Sequence, residues 1–97
     1  MKKIYISGKI TGDPQYKEKF DYVAAVIEAA GYAPVNPTEV HLEDAATWGD
    51  YMRHDIKLLC DCDGVYMLND WQESKGAKIE HQLAQDLGMK IYYGTNK

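Results

Sequence analysis

Three segments of this 97-residue chain combine side chains able to do chemistry. In Ser74-Lys75-Gly76-Ala77-Lys78-Ile79-Glu80, Ser74 is a good N-cap, so Glu80 falls nearly two turns into the helix that follows. The positive end of that helix favours the ionised carboxylate. Gly76 is costly in a first helical turn, which implies close approach of a ligand or a neighbouring backbone. In Tyr5-Ile6-Ser7-Gly8-Lys9-Ile10-Thr11-Gly12, the two glycines let backbone approach a ligand and present amide donors to phosphate. Lys9 and the hydroxyls of Ser7 and Thr11 suit an anion, although the segment is neither a Walker loop nor a full G-x-G-x-x-G fingerprint. The third candidate is Asp55, an acid beside the apolar stripe of a helix, followed eight residues later by Asp63. Each has an ordinary alternative: a plain turn, a surface Glu80 paired with a nearby Lys, a solvated helix flank at Asp55, and a turn residue at Asp63.

Other reactive side chains carry less. His41, His54 and His81 have no triad-like context and read as surface or loop residues. Trp48, Trp71 and Tyr66 read as core or lid aromatics. Cys60 and Cys62 are too close for an ordinary loop-closing disulfide and read as reduced thiols filling space at a helix end. No second Cys pair or His-x3-His spacing accompanies them, so no metal and no cofactor is expected.

Positioning these residues requires alternating strands and helices. Lys3–Ser7 is a short β-rich run, followed by a glycine- and proline-punctuated loop. From 15 to 30, Phe20, Val23, Ala24, Ile27 and Ala30 recur at helical steps, and Gly31 caps the end. Residues 32–35 form a second strand near a sheet edge, because Pro34 cannot donate to a ladder. Trp48 to Cys60 is helical through Trp48, Tyr51, Met52, Ile56 and Leu59, with Asp55 one residue off the stripe. Residues 64–68 are the strongest strand, the helix after Ser74 ends at Gly88, and residues 89–93 are the last strand. This order predicts an α/β fold: one domain over 1–97, a three-layer sandwich with a parallel Rossmann- or flavodoxin-like sheet of about four strands in order 2-1-3-4. Ligands of such sheets sit where strand order reverses, here where the loops after strands one and three meet.

The totals narrow the partners. A net charge of -4 and a pI near 5.2 speak against duplex nucleic acid, which requires a basic stripe. No run nears the roughly 18 apolar residues of a membrane span, and Met1-Lys2-Lys3 leads into a strand instead of a signal-peptide apolar region, so a cytoplasmic protein is expected. A small core suggests a homodimer or higher homo-oligomer.

Taken together, Tyr5-Ile6-Ser7-Gly8, Asp55 to Asp63, and Ser74-x-Gly76-Ala77-x-x-Glu80 resemble the nucleoside 2-deoxyribosyltransferase superfamily, including its deoxynucleoside-monophosphate N-glycosidase branch. The resemblance covers nearly the whole chain and is most like compact, phage-type relatives. It implies that Glu80, in a Gly-x-x-x-Glu signature, is the nucleophile on the anomeric carbon, and that Asp55 contacts the base. By the same resemblance Ser74 contacts a 5'-phosphate or hydroxyl, and Tyr5 borders the sugar. Where the glycosidase branch has a first-loop Arg this sequence has Thr11, with Lys9 the nearby cation. The substrate-binding set is then Tyr5, Ser7, Gly8, Lys9, Ser74 and Gly76, around a small nucleoside or nucleotide. The expected activity is N-glycosidic cleavage or deoxyribosyl transfer. The alternatives are a nucleotide-binding or nucleotide-sequestering protein using the same cleft, and a pure interaction protein.

Overall fold

A computed structural model describes residues 1–94; the last three residues of the expected 1–97 domain lie outside the described residues. The elements follow the expected alternation: β1 (Lys3–Ser7), α1 (Tyr16–Ala29), β2 (Ala33–Val35), α2 (Trp48–Cys60), β3 (Gly64–Met67), α3 (Lys75–Asp86) and β4 (Lys90–Tyr93). Two short 3-10 turns, Pro37–Glu39 and Trp71–Glu73, stand in the connections after β2 and β3. The four strands are parallel in the order β2-β1-β3-β4.

That order dictates the layers. Right-handed crossovers put the connecting helix on one face when the chain moves one way across the sheet, and on the other when it moves back. Accordingly α1, which links β1 outward to β2, covers one face, and α2 and α3, which link the return steps, cover the other. Phe20, Val23 and Ile27 of α1 pack with Ile4, Ile6 and Leu68. On the opposite face Tyr5, Val65 and Met67 pack with Leu59 of α2 and with Ala77 and Ala84 of α3. The period of two along a strand therefore divides β1: Ile4 and Ile6 look toward α1, Tyr5 and Ser7 toward α2 and α3.

Helix ends are set locally. Thr47 and Asp50 form a reciprocal capping box at the start of α2, with bonds of 3.1 and 2.8 Å, a Thr-x-x-Asp signal legible in the sequence. Ser74 accepts from the Ala77 amide at 3.1 Å and starts α3 where expected. Gly31 takes φ +92° just beyond α1, the left-handed conformation that ends a helix. Cys60 is exposed and Cys62 half-buried. Helix-end filling is thus confined to Cys62, whose thiol donates to the Leu58 carbonyl at 3.2 Å.

Candidate active site

Glu80 stands on the buried stripe of α3 with Gly76, Ala77 and Ala84. These small neighbours let the helix lie close to β1, so a long carboxylate can reach the strand. Its Oε2 accepts from the Tyr5 hydroxyl at 2.8 Å, and its Oε1 from the Ser7 hydroxyl at 2.7 Å. Glu80 is 5% exposed, which excludes a surface ion pair with lysine.

Burial, not the helix end, decides its charge. Removal from water pushes the Glu80 carboxyl up to about 7, against the lowering effect of its bonds to Ser7 and Tyr5. The readily ionised carboxylate expected from the sequence is thereby corrected: desolvation outweighs the macrodipole, which acts mainly within the first turn. Tyr5 is itself held well above the ordinary phenol range by burial and by Glu80, so it remains a donor.

Asp55 is 9% exposed and buried on α2 together with Leu59. It lies on the packed face of the helix, which corrects both its expected offset from the stripe and the solvated-flank alternative. Burial raises its carboxyl above the usual range, and the neighbouring His54 moderates the effect. Asp55 and Glu80 both line a cavity of about 390 Å³ beyond the carboxyl end of β1, together with Tyr5, Ser7, Gly8, Ser74 and Gly76.

The eighth expected site residue is elsewhere. Lys9 lines a neighbouring polar cavity with Asp13, Lys19, Asp70 and Glu73. Its ammonium pairs with Glu73 at 3.4 Å, and its amide donates to Asp70 at 3.1 Å. Among the described residues lining the main cavity none is Lys or Arg.

The cavity keeps Gly8, Ile10 and Thr11 of the first loop and Ser74 after β3 in its wall, and it also extends past the expected junction. The loops after β1 and β3 meet tightly: Leu68 donates its amide to the Ser7 carbonyl at 2.8 Å, and a Cβ on Gly8 would collide with the Leu68 side chain. Further out, the same two loops border the polar cavity that Lys9 shares with Asp13, Asp70 and Glu73. The main cavity continues over β1, toward Pro37, Thr38, Val40 and His41 after β2 and the α2 face bearing Trp48, Tyr51 and Met52. Gly76, in the cavity wall, also makes space for a side chain, since a Cβ there would stand 2.9 Å from the Met52 sulfur.

The family described as "Domain of unknown function (DUF4406)" matches residues 2–93. The chain belongs to this family. The match takes in every residue that lines the cavity of this DUF4406 domain. No curated protein matches it. Among solved structures it is similar to the 2-desoxiribosyltransferase from Leishmania mexicana, with a TM-score of 0.73 and 20% identity over 96% of this chain. The DUF4406 chain spans 63% of that structure's length. The likeness is one of fold.

Several cavity residues of the DUF4406 domain escaped the sequence reading. Trp48, Tyr51 and Met52 had a legible signal, because they precede Asp55 at the i–7, i–4 and i–3 positions of one helix face. Periodicity does not distinguish a face that packs from one that borders a cavity. Trp48 is 45% exposed at the rim, with the Lys75 ammonium 4.6 Å above its ring. Thr38 and His41 had no signal, since their place depends on where the chain after β2 passes over β1.

Proposed function

We propose that this domain cleaves or transfers the N-glycosidic bond of a 2-deoxynucleoside or its nucleotide, with Glu80 as nucleophile. The observation that carries the reading is the Glu80 carboxylate, buried in a cavity of nucleoside size and held on both oxygens by hydroxyl donors from one strand. Tyr5 and Ser7 orient it, Asp55 lies in the same cavity to meet the base, and Ser74 and the Gly8 loop border the sugar. The Ser74 hydroxyl, having accepted from Ala77, keeps its own proton for a ligand oxygen.

In the first step the ionised Glu80 attacks C1'. The C1'–N bond breaks, and its electron pair leaves with the base, which Asp55 hydrogen-bonds or protonates. In the second step a base nitrogen or water attacks C1', the ester bond to Glu80 breaks, and the carboxylate is restored; a proton returns to Asp55 or to solvent. Two displacements give net retention. The missing 2'-hydroxyl eases development of positive charge at C1', so one placed carboxylate and one acid form a sufficient set.

The test is incubation with a panel of deoxynucleosides and deoxynucleotides, with free base followed by chromatography. Release is expected from the wild type, falling by roughly a thousandfold or more in Glu80→Gln. Release undiminished in that variant rejects Glu80 as nucleophile. A stoichiometric complex returning intact ligand favours binding without cleavage.

A further inference from the structure

His54 has no triad-like context in the sequence, and the proposed reaction makes no use of it. The described residues nevertheless contain two buried side-chain atoms able to hydrogen-bond but without a hydrogen-bond partner: His54 Nδ1 and Asp55 Oδ1. They face each other at 3.5 Å. Adjacent side chains on a helix diverge by roughly 100°, so this approach requires the two side chains to lean together. At that separation it is a close contact rather than a made hydrogen bond. Buried polar groups are almost always satisfied, and an unmet pair in register calls for a functional explanation.

We infer that His54 is a positioning residue for Asp55: its Nδ1–H closes onto Oδ1 when ligand enters, fixing the carboxyl plane so that the other oxygen meets the ligand. The geometry suits this division. The His54 side chain is 32% exposed and that of Asp55 12%, so the ring keeps an edge toward solvent while Nδ1 turns inward. Asp55 borders the cavity, and an oxygen fixed from behind loses the freedom to rotate away from a base edge. Hydrogen bonds of this kind are often long in empty sites and shorten when the site fills. Among the described residues, His54 is the only ionisable neighbour that moderates Asp55; the charge of Asp55 in turn raises Glu80 of α3 and Tyr5 of β1, and the Tyr5 hydroxyl is given to Glu80 and not to Oδ1.

The inference rests on Asp55 being a ligand contact, and the experiment separates the two ideas. Long-range 1H–15N spectra of the histidine rings would be recorded on the full chain and on Asp55→Ala, with and without deoxynucleoside. Affinity for the same deoxynucleosides and base release would be measured for His54→Ala, His54→Asn and His54→Gln. The amide nitrogen of Asn overlays Nδ1, whereas that of Gln overlays Nε2. His54 is expected as the Nδ1–H tautomer, strengthened by ligand and lost in Asp55→Ala, which removes the acceptor. His54→Ala is expected to weaken binding about tenfold, the size of one hydrogen bond to a charged group. His54→Asn should restore affinity and His54→Gln should not. A His54 ring that stays Nε2–H in both proteins, or an Ala variant that binds like wild type, overturns the inference. Should the wild type neither bind nor cleave any deoxynucleoside, the proposed function fails. The tautomer and its dependence on Asp55 then decide the pairing alone.

Discussion

Tyr5 and Glu80, separated by 75 positions in the chain, are joined by a 2.8 Å hydrogen bond inside the cavity. The bond crosses from the central strand to the third helix, and Ser7, two residues further along the same strand face, makes its counterpart to the other carboxylate oxygen. In the proposed reaction Glu80 attacks in its ionised form, which makes its protonation the natural control on activity.

Base release should therefore rise with pH through about 7, the value to which burial pushes Glu80. The bonds from Ser7 and Tyr5 hold that value down, so Tyr5→Phe and Ser7→Ala must each move the rise to higher pH. At neutral pH, where about half of the wild-type carboxyl is ionised, each variant should lose rate several-fold. A pH–rate profile of the three proteins checks the direction. An unmoved or downward midpoint contradicts it.

The same carboxyl couples stability to pH. Its folded value lies above the ordinary 4.5, so the native state binds the extra proton between about 4.5 and 7. The associated stability is complete at the acid end and is lost as pH rises through 7. Glu80→Gln, neutral at all pH, should gain on the wild type by up to roughly 3 kcal/mol between pH 5 and pH 8. Denaturant midpoints of both proteins at the two pH values measure it. Loss of activity with a gain in stability is the pattern expected when a buried charge serves function rather than folding.

The two cavity glycines should respond differently to alanine. At Gly8 the added Cβ meets Leu68 near its root, in a region packed on both sides of the sheet, and overpacking of that kind costs about 1–3 kcal/mol. At Gly76 it meets the mobile end of Met52, and the helix gains up to about 1 kcal/mol in propensity, so the net change is small. Thermal melts should place Gly8→Ala several degrees below wild type, about 4–8 °C per kcal/mol for a domain of this size. Gly76→Ala should melt close to wild type.

Lys9 provides a further discrimination. Its ammonium pairs with Glu73 in the neighbouring cavity, so Lys9→Ala should leave deoxynucleoside affinity unchanged within about twofold, in line with the small worth of exposed ion pairs. A large loss confined to 5'-monophosphates, read by calorimetry, shows instead that Lys9 swings round to a phosphate.

The layered fold was legible in the chain because its signals are local. Helical spacing in α1 and α2, Ser74 before α3, Gly31 and Gly88 after their helices, and Pro34 at an edge each act within a few residues. Right-handed crossovers then leave few ways to order four parallel strands. Among described residues no helix is long and apolar enough to cross a membrane, consistent with the absence of a long apolar run.

Residue types and spacing are enough to nominate the candidates for chemistry: a Glu among small helix residues, an acid on the preceding helix, and hydroxyls on alternate positions of the first strand. The tertiary structure alone decided their protonation, their partners and the wall they share. Whether Glu80 is charged depends on how much water α3 excludes when it settles on β1. Whether Asp55 is buried depends on which side of α2 meets the sheet. Lys9 turned away because Asp70 and Glu73, brought alongside by the meeting of two loops, offered nearer partners. Desolvation and contact between distant segments are properties of the folded volume, and spacing along a chain does not encode them one residue at a time.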